Sequence, residues 1–449
     1  MAEDTKGQAN KTTVKVSQAD PSSLSGLQHS PSPAKTTVQE EDDSNYQAGG
    51  YHPVYVGDVY NERYQIINKI GYGVYSTVWL VKDVMPRFNP RSNGQTVFRA
   101  LKILKANAYS SKHPILEREI MAHLRDGNQQ QIGYNYICHM LDSFEHQGPH
   151  GTHVCLVFEL MGETLAGFGA WFDECEVPNI IMRRFTTHLL LALDYAHDFN
   201  VIHTVSDLKP DNIYVKFRDH SQIESAYMRD HPPPAQDRNE STYTVIPSAP
   251  LFRYYFAPGD EANFDLFDVA LGDWGVSRWA DSEPGLRKAV IQPVALRSPE
   301  VLIGAVWDVN TDFWNLGAVI YEVFRAIRLF SGSAPPKGDY AREEHIAEIV
   351  DLFGPFPKAL LEKGDQEFVA KVFDEDGRVR DAAPFGRPGL CSETFLPRLP
   401  DDVRAGFADF MKTMMKIDPA ERPMPEDMLR HPWLGALPPK NVDVRSTAP

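Results

Sequence analysis

The run Asp207-Leu208-Lys209-Pro210-Asp211-Asn212 decides how the rest of this chain is read. Its residue types suit the movement of a phosphoryl group. A carboxylate (Asp207) can accept the proton of a hydroxyl nucleophile. An ammonium on Lys209 can stabilise the charge that spreads over a transferring phosphate. The amide oxygen of Asn212 can ligate a divalent cation of the hard, oxygen-seeking kind. The run follows an apolar helical stretch, Phe185–Ala196, and a short strand-like piece, Asn200–Ile202. Downstream, Asp273-Trp274-Gly275 offers a second candidate metal carboxylate in Asp273.

Upstream, Gly71-Tyr72-Gly73-Val74-Tyr75-Ser76-Thr77-Val78 sets two glycines between strand-like runs. Glycine lets a backbone approach phosphates closely and offer them N–H donors. Alone this is a weak signal: a hairpin uses glycine without any ligand, and the third glycine of G-x-G-x-x-G is Ser76 here. Lys102, in Ala100-Leu101-Lys102, sits on a strand-like run. Glu119 lies in the helical stretch Leu116–Leu124 and is expected to pair with Lys102. Each of these alone reads as a surface charge. Together, and in this order, they are the parts of a protein kinase: glycine-rich loop, strand lysine, helix glutamate, catalytic aspartate, metal asparagine and metal aspartate. Three markers agree. Ser298-Pro299-Glu300 stands where kinases end the activation segment with A-P-E, Asp312 stands where a carboxylate opens the central C-lobe helix, and Arg422 matches the arginine that pairs with the A-P-E glutamate. The closing His431-Pro432-Trp433-Leu434 is a common ending of the superfamily's final helix.

More narrowly, the chain resembles the SR-protein-specific serine/threonine kinases, as a divergent fungal-type member. The matching residues are Tyr51-His52-Pro53-Val54, Gly57-Asp58, Ser76-Thr77-Val78-Trp79-Leu80, His203-Thr204, Arg297-Ser298 with Glu300-Val301-Leu302-Ile303-Gly304, and His345-Ile346-Ala347. The resemblance spans about 51–434. It implies a two-lobed α+β fold, and the transfer of the ATP phosphoryl group to serines of basic, Arg/Ser-rich proteins such as splicing factors, with Mg²⁺ (a non-specific serine/threonine protein kinase, EC 2.7.11.1 type). It implies a catalytic set of Asp207, Lys209, Lys102 and Glu119, and metal ligands Asn212 and Asp273. The implied nucleotide pocket is Ile70, Gly71, Gly73, Val78, Ala100, Lys102, Phe158, Glu159, Leu160, Met161 and Tyr214. In that family an acidic C-lobe groove binds basic substrate, and Glu344 and Asp351 fall at positions resembling two of its acids. Ile327-Arg328, before Leu329-Phe330, replace an acid usual there.

The sequence also departs from the pattern. Most kinases have arginine where Thr204 stands, and that arginine binds an activation-loop phosphate; Thr204 cannot, so activity is expected without phosphorylation of that loop. Thr204, Val205 and Ser206 separate His203 from Asp207, where kinases have a single residue. A shift of roughly 1 Å in a catalytic group can cost about a hundredfold in rate. Two readings follow: an active enzyme whose extra residues bulge outward, or a pseudokinase scaffold that binds nucleotide or partners without efficient turnover. Retention of every phosphate and metal residue favours the enzyme. Tyr214 replaces the leucine usual beneath adenine and reshapes the pocket.

Around these motifs, the composition is that of a soluble globular protein: 449 residues, 42% hydrophobic, 24% charged, net charge −16. The acidity disfavours nucleic acid and anionic membranes and favours basic partners. Four cysteines without a C-x-x-C pair signal no zinc ribbon and suit a reducing compartment. The N-terminus has no signal-peptide core. A monomer in the cytoplasm or nucleus is expected. Residues 1–50, polar and poor in large apolar side chains, read as disordered. A kinase domain follows over 51–434, with an N-lobe to 161, a C-lobe from 162, and a structureless insert at about 216–265 that contains Pro232-Pro233-Pro234. A Pro-containing tail occupies 435–449.

Overall fold

The structure is a computed structural model that describes residues 40–85, 96–109, 115–203, 208–238, 243–283, 287, 291–334, 338–380, 382 and 388–437. Asp207 and the extra pair Val205-Ser206 lie outside these, as do 1–39 and 438–449.

The N-lobe is an antiparallel sheet. In chain order its strands are β1 (Val59–Tyr60), β2 (Tyr64–Gly73), β3 (Ser76–Asp83), β4 (Val97–Leu104), β5 (Met140–Gly148) and β6 (Gly151–Phe158), arranged β1-β2-β3-β4-β6-β5. Side chains alternate between the faces. Trp79, Val81, Leu101, Ile103, Cys155 and Val157 pack on one face with Val54, Tyr60, Tyr64 and Ile66. The intervening Val78, Leu80, Ala100 and Lys102 therefore face the other way, and register fixes them side by side: Val78 pairs with Lys102, and Leu80 with Ala100. The helix Glu117–Arg125 packs its inner face through Glu117, Ile120, Met121 and Leu124, the i, i+3, i+4, i+7 pattern of a buried stripe.

The C-lobe is helical, as its period predicts. The long helix Asn179–Asp198, which contains the expected helical stretch Phe185–Ala196, is joined by the helices Thr311–Arg325, Arg342–Phe353 and Asp401–Met414. They close around one large apolar cluster that includes Phe185, Leu189, Leu193, Trp314, Phe324, Phe407 and Met411. The α+β, two-lobed expectation holds. Small sheets hold the functional loops: Ile213–Lys216 runs between Val269–Leu271 and Met161–Thr164, and Val201–Ile202 pairs with Arg278–Trp279. No helix of the described residues is long and apolar enough to cross a membrane.

Two expectations need correction. The insert is not structureless where it is described. Ile223–Tyr227 and Met228–Asp230 form a helical turn, and Phe252–Tyr255 and Asp260–Leu266 form 3-10 turns. Ile223, Tyr227, Leu251 and Tyr254 bury against Leu80, Phe98 and Leu160 on the cleft-facing side of the sheet. Each of these pieces is only about one helical turn long, with Ile223 and Tyr227 four residues apart and Leu251 and Tyr254 three, so prolines and charges dominate the sequence around them. Order also begins before Tyr51. Glu40 and Glu41 reach Lys69, whose ammonium is fully buried, and Gly49 and Gly50 accept the N–H groups of Asn107 and Ala106.

Candidate active site

The cleft is built where the strand pair β3–β4 faces the C-lobe loops. Lys102 on β4 projects its Nζ to within 2.6 Å of Glu117 Oε1 and 3.2 Å of Asp273 Oδ1. Glu119 is not its partner. Glu119 lies off the buried stripe and is exposed, whereas Glu117 heads that stripe and is buried. The sequence carried the signal: Glu117 falls in phase with Ile120, Met121 and Leu124, and Glu119 does not.

The electrostatics of this cluster are mutual. Burial works against the charge on Lys102, yet the carboxylates of Asp273 and Glu117 hold its pKa above the ordinary lysine value. The ammonium of Lys102 in turn holds Asp273 below the ordinary carboxylate range, against the effect of burial. Both groups are thus charged at neutral pH. Asp273 adopts φ 53°, a left-handed conformation uncommon outside glycine, which turns its carboxylate toward the lysine. Beside it, the N–H of Gly272 donates to the carbonyl oxygen of Asn212 at 2.9 Å, tying together the two loops that carry the candidate metal ligands. Asn212 closes the 3-10 turn Pro210–Asn212, whose N-cap is Lys209. A side-chain amide and a carboxylate held on adjoining loops are oxygen donors of the kind Mg²⁺ takes, so the residues present fit the expected ion.

The histidine before the extra residues keeps a bracing position. The ring of His203 meets Trp274 edge-on at 4.6 Å. Its Nε2–H donates to Gly272 O at 3.0 Å, and its backbone N–H donates to Asp312 Oδ2 at 3.0 Å. Asp312, fully buried, also accepts from His197 Nε2 at 2.8 Å. The carboxylate that opens the central helix thus anchors the strand end from which the catalytic loop departs.

The nucleotide-pocket residues separate into three groups. Ile70, Val78, Ala100 and Lys102 face the cleft, with Gly71 and Gly73 in the hairpin above; Gly73 pairs with Ser76, leaving Val74-Tyr75 at the tip. Phe158, Met161 and Tyr214 cluster with Cys138 and Ala270 at the back and floor. Gly272 is required there, because a Cβ on it would come within 2.8 Å of the Tyr214 ring. Leu160 buries its side chain among the insert residues, and the Glu159 carboxylate accepts the N–H of His139 at 3.0 Å, so these two side chains serve structure.

The C-terminal end of the activation segment is braced twice. Glu300 and Arg422 form a two-pronged pair, 2.7 Å in each arm and with neither side chain accessible, and Thr311 Oγ1 donates to Glu300 at 2.7 Å. Upstream, Gln292 adopts φ 73°, accepts the N–H of Ser298 at 2.8 Å and donates its amide to Asn315. An uncharged side chain thus ties this segment to the central helix. Nothing in the sequence marked Gln292, since one glutamine in a loop carries no spacing signal.

The protein kinase domain family matches residues 64–225 and 260–434, leaving out most of the insert. A serine/threonine protein kinase of Aspergillus fumigatus is 31% identical, over 88% of this chain and 91% of its own. The serine/threonine-protein kinase SRPK of Physarum polycephalum is 29% identical, over 89% and 92%. Human SRSF protein kinase 3 is 24% identical, over 88% and 90%. A crystal structure of a kinase domain superposes with a TM-score of 0.59 at 20% identity, covering 86% of this chain and 98% of that one.

Proposed function

The chain belongs to the protein kinase family, with serine/threonine kinases of the SR-protein type among its relatives, and from that premise we propose that it moves the terminal phosphoryl group of Mg·ATP onto serines of basic, Arg/Ser-rich protein segments. One observation carries the reading: the joined cluster of Lys102, Glu117 and Asp273, with Asn212 tied alongside. Lys102, fixed by Glu117, presents its ammonium to the phosphates. Asn212 and Asp273 would hold Mg²⁺, which supplies neutralisation of phosphate charge. Asp207 takes the serine proton as the new O–P bond forms and the bond to the leaving diphosphate breaks, and Lys209 stabilises the charge in transit. The bracing of His203 against Trp274, together with the intact cluster, supports turnover over the scaffold alternative. Gln292, holding Ser298 without a phosphate, supports activity in the unphosphorylated state.

The choice of acceptor rests on Glu344 and Asp351, two turns apart on one face of the helix Arg342–Phe353 and accessible at its surface. Arg328, exposed and 3.8 Å from Glu322, makes the neighbouring surface less acidic. Phosphate transfer from Mg·ATP should be measured on an Arg-Ser-repeat peptide and on a generic basic protein, using dephosphorylated enzyme, with Asp207→Asn and a deletion of Val205-Ser206 alongside. Wild type is expected to phosphorylate the repeat, and Asp207→Asn to be inactive. An inactive wild type beside an active deletion variant would overturn the reading. Transfer to the generic protein alone would overturn the acceptor class.

A further inference from the structure

Among the described residues, the two glycines of the hairpin have no packing partner in the cleft. A Cβ placed on Gly71 or Gly73 would meet nothing within 4 Å, and Val74 and Tyr75 stand exposed. Hairpin tips of this kind are mobile unless tied from outside. Here the tie comes from the segment that precedes the first strand. The phenol of Tyr51 donates to the carbonyl oxygen of Gly73 at 2.7 Å, with the carbonyl of Val74 at 3.3 Å. On the neighbouring side the N–H of Lys105 donates to Tyr75 O at 2.8 Å, and the Lys105 ammonium lies 4.2 Å over the Tyr51 ring. Both hydrogen bonds take carbonyl oxygens, which an anion cannot use.

We propose that Tyr51 is a positioning residue for the nucleotide, gripping the outer face of the glycine hairpin so that the hairpin's amides stay directed at the ATP phosphates. This rests on the kinase reading above. The segment that delivers Tyr51 is itself locked in place. Gly49, at φ +83°, and Gly50 make the turn: a Cβ on Gly50 would fall 1.9 Å from Asn45 O, so only glycine allows the Tyr51 N–H to reach that oxygen at 3.0 Å. Glu40 and Glu41 then clamp the buried ammonium of Lys69, on the strand that leads into the hairpin. Ser248 of the insert donates to Glu40 through its N–H at 2.6 Å and its hydroxyl at 2.9 Å. The phenol is thereby set before nucleotide arrives, and burial raises its pKa to about 12, so it remains a donor at neutral pH.

The test is Tyr51→Phe in the full chain, which deletes one hydroxyl and keeps the ring against Lys105. Affinity for a fluorescent ADP analogue is measured directly, and KM for ATP, KM for the peptide and kcat are measured by transfer. Nucleotide affinity should weaken and KM for ATP rise by roughly three- to ten-fold, the worth of one hydrogen bond, with kcat, peptide KM and melting temperature held. Gly50→Val, which removes the turn, should reproduce the nucleotide defect. Unchanged nucleotide affinity in Tyr51→Phe would overturn the proposal, and so would a parallel change in kcat, both KM values and melting temperature, which marks a merely structural residue. A wild type that binds the analogue without transferring phosphate would fail the kinase reading, while the affinity difference would still decide the role of Tyr51.

Discussion

Two lysines of one sheet, on β2 and β4, are each held against two carboxylates, and only one of them lies in the cleft. Lys102 meets Glu117 and Asp273; Lys69 meets Glu41 and Glu40. The residue types are the same, but access differs. The Lys102 side chain is 17% exposed and that of Asp273 42%, so a ligand can reach both. The Lys69 side chain is wholly covered, that of Glu41 nearly so, and a third bond from Lys69 to Ile246 O at 3.0 Å completes its set. The surplus negative charge is handled differently too. Around Lys69 it is met by protein donors, since Tyr46 donates to Glu41 at 2.6 Å and Ser248 to Glu40. Beside Lys102 it opens to the cleft, where a divalent cation can meet it. A buried ammonium–carboxylate cluster is therefore a functional pointer only when its surplus charge faces a space that a ligand can enter.

The sharpest way to break this comparison is to remove both ammonium groups in turn. Lys102→Met should lower kcat/KM for transfer by about a thousandfold or more, which is roughly 4 kcal/mol of transition-state stabilisation, while the unfolding midpoint in urea moves less than in the Lys69 variant, although Glu117 is left buried without its partner. Lys69→Met should do the reverse. Stranding Glu41 without its partner should destabilise the fold by about 3–5 kcal/mol, while the enzyme that remains folded retains most of its kcat. A large loss of kcat in folded Lys69→Met would erase the distinction.

A smaller effect sharpens the identity of the helix glutamate. Glu117→Gln should lower kcat/KM by roughly ten- to a hundredfold, because the ammonium of Lys102 loses its orienting charge. Glu119→Gln, on the solvent side of the helix, should change it by less than about twofold. Equal effects in steady-state transfer assays would mean that the Lys102–Glu117 contact is not used in catalysis.

The cleft and the clasp differ in how much of them the sequence disclosed, for the same physical reason. Phosphoryl transfer needs a few groups at fixed mutual distances, and local elements supply that spacing, so Lys209, Asn212, Asp273, Glu300 and Arg422 could be read from the chain. The strand and helix runs were equally legible, because Tyr64–Ile70 largely alternate and Ile120–Leu124 keep helical phase. The error over Glu119 was an error of phase within a helix that the sequence had located. The clasp needs no fixed spacing. It joins Glu40, Lys69 and Ser248 across the whole N-lobe and insert, and Tyr51 to Gly73, through pairings that any of many glutamates or tyrosines would satisfy on paper.

The smallest effect concerns pH and falls on the clasp side alone. His52 follows Tyr51 and is buried, with its Nε2 2.9 Å from the Tyr60 hydroxyl and its ring 4.7 Å from that of His146 and 4.8 Å from that of His153. Burial first, then the neighbouring His153, His146 and His150, pushes its pKa down to about 3. The folded protein therefore keeps His52 neutral, whereas the unfolded chain protonates it below about 6.5. The unfolded state binds the extra proton between these two values, so stability from this residue is full above the unfolded pKa and is lost as pH falls below it. Between pH 7 and pH 6 the loss is about 0.7 kcal/mol for one such histidine. Urea unfolding of wild type and His52→Asn at both pH values should show the variant's pH dependence reduced by about that amount. Asp273 and Lys102 should contribute nothing to the difference, because both are held charged far outside this window. An undiminished slope in the variant would place the pH sensitivity elsewhere among the buried histidines, with His188 and His345, each pushed down to about 4, the next to remove.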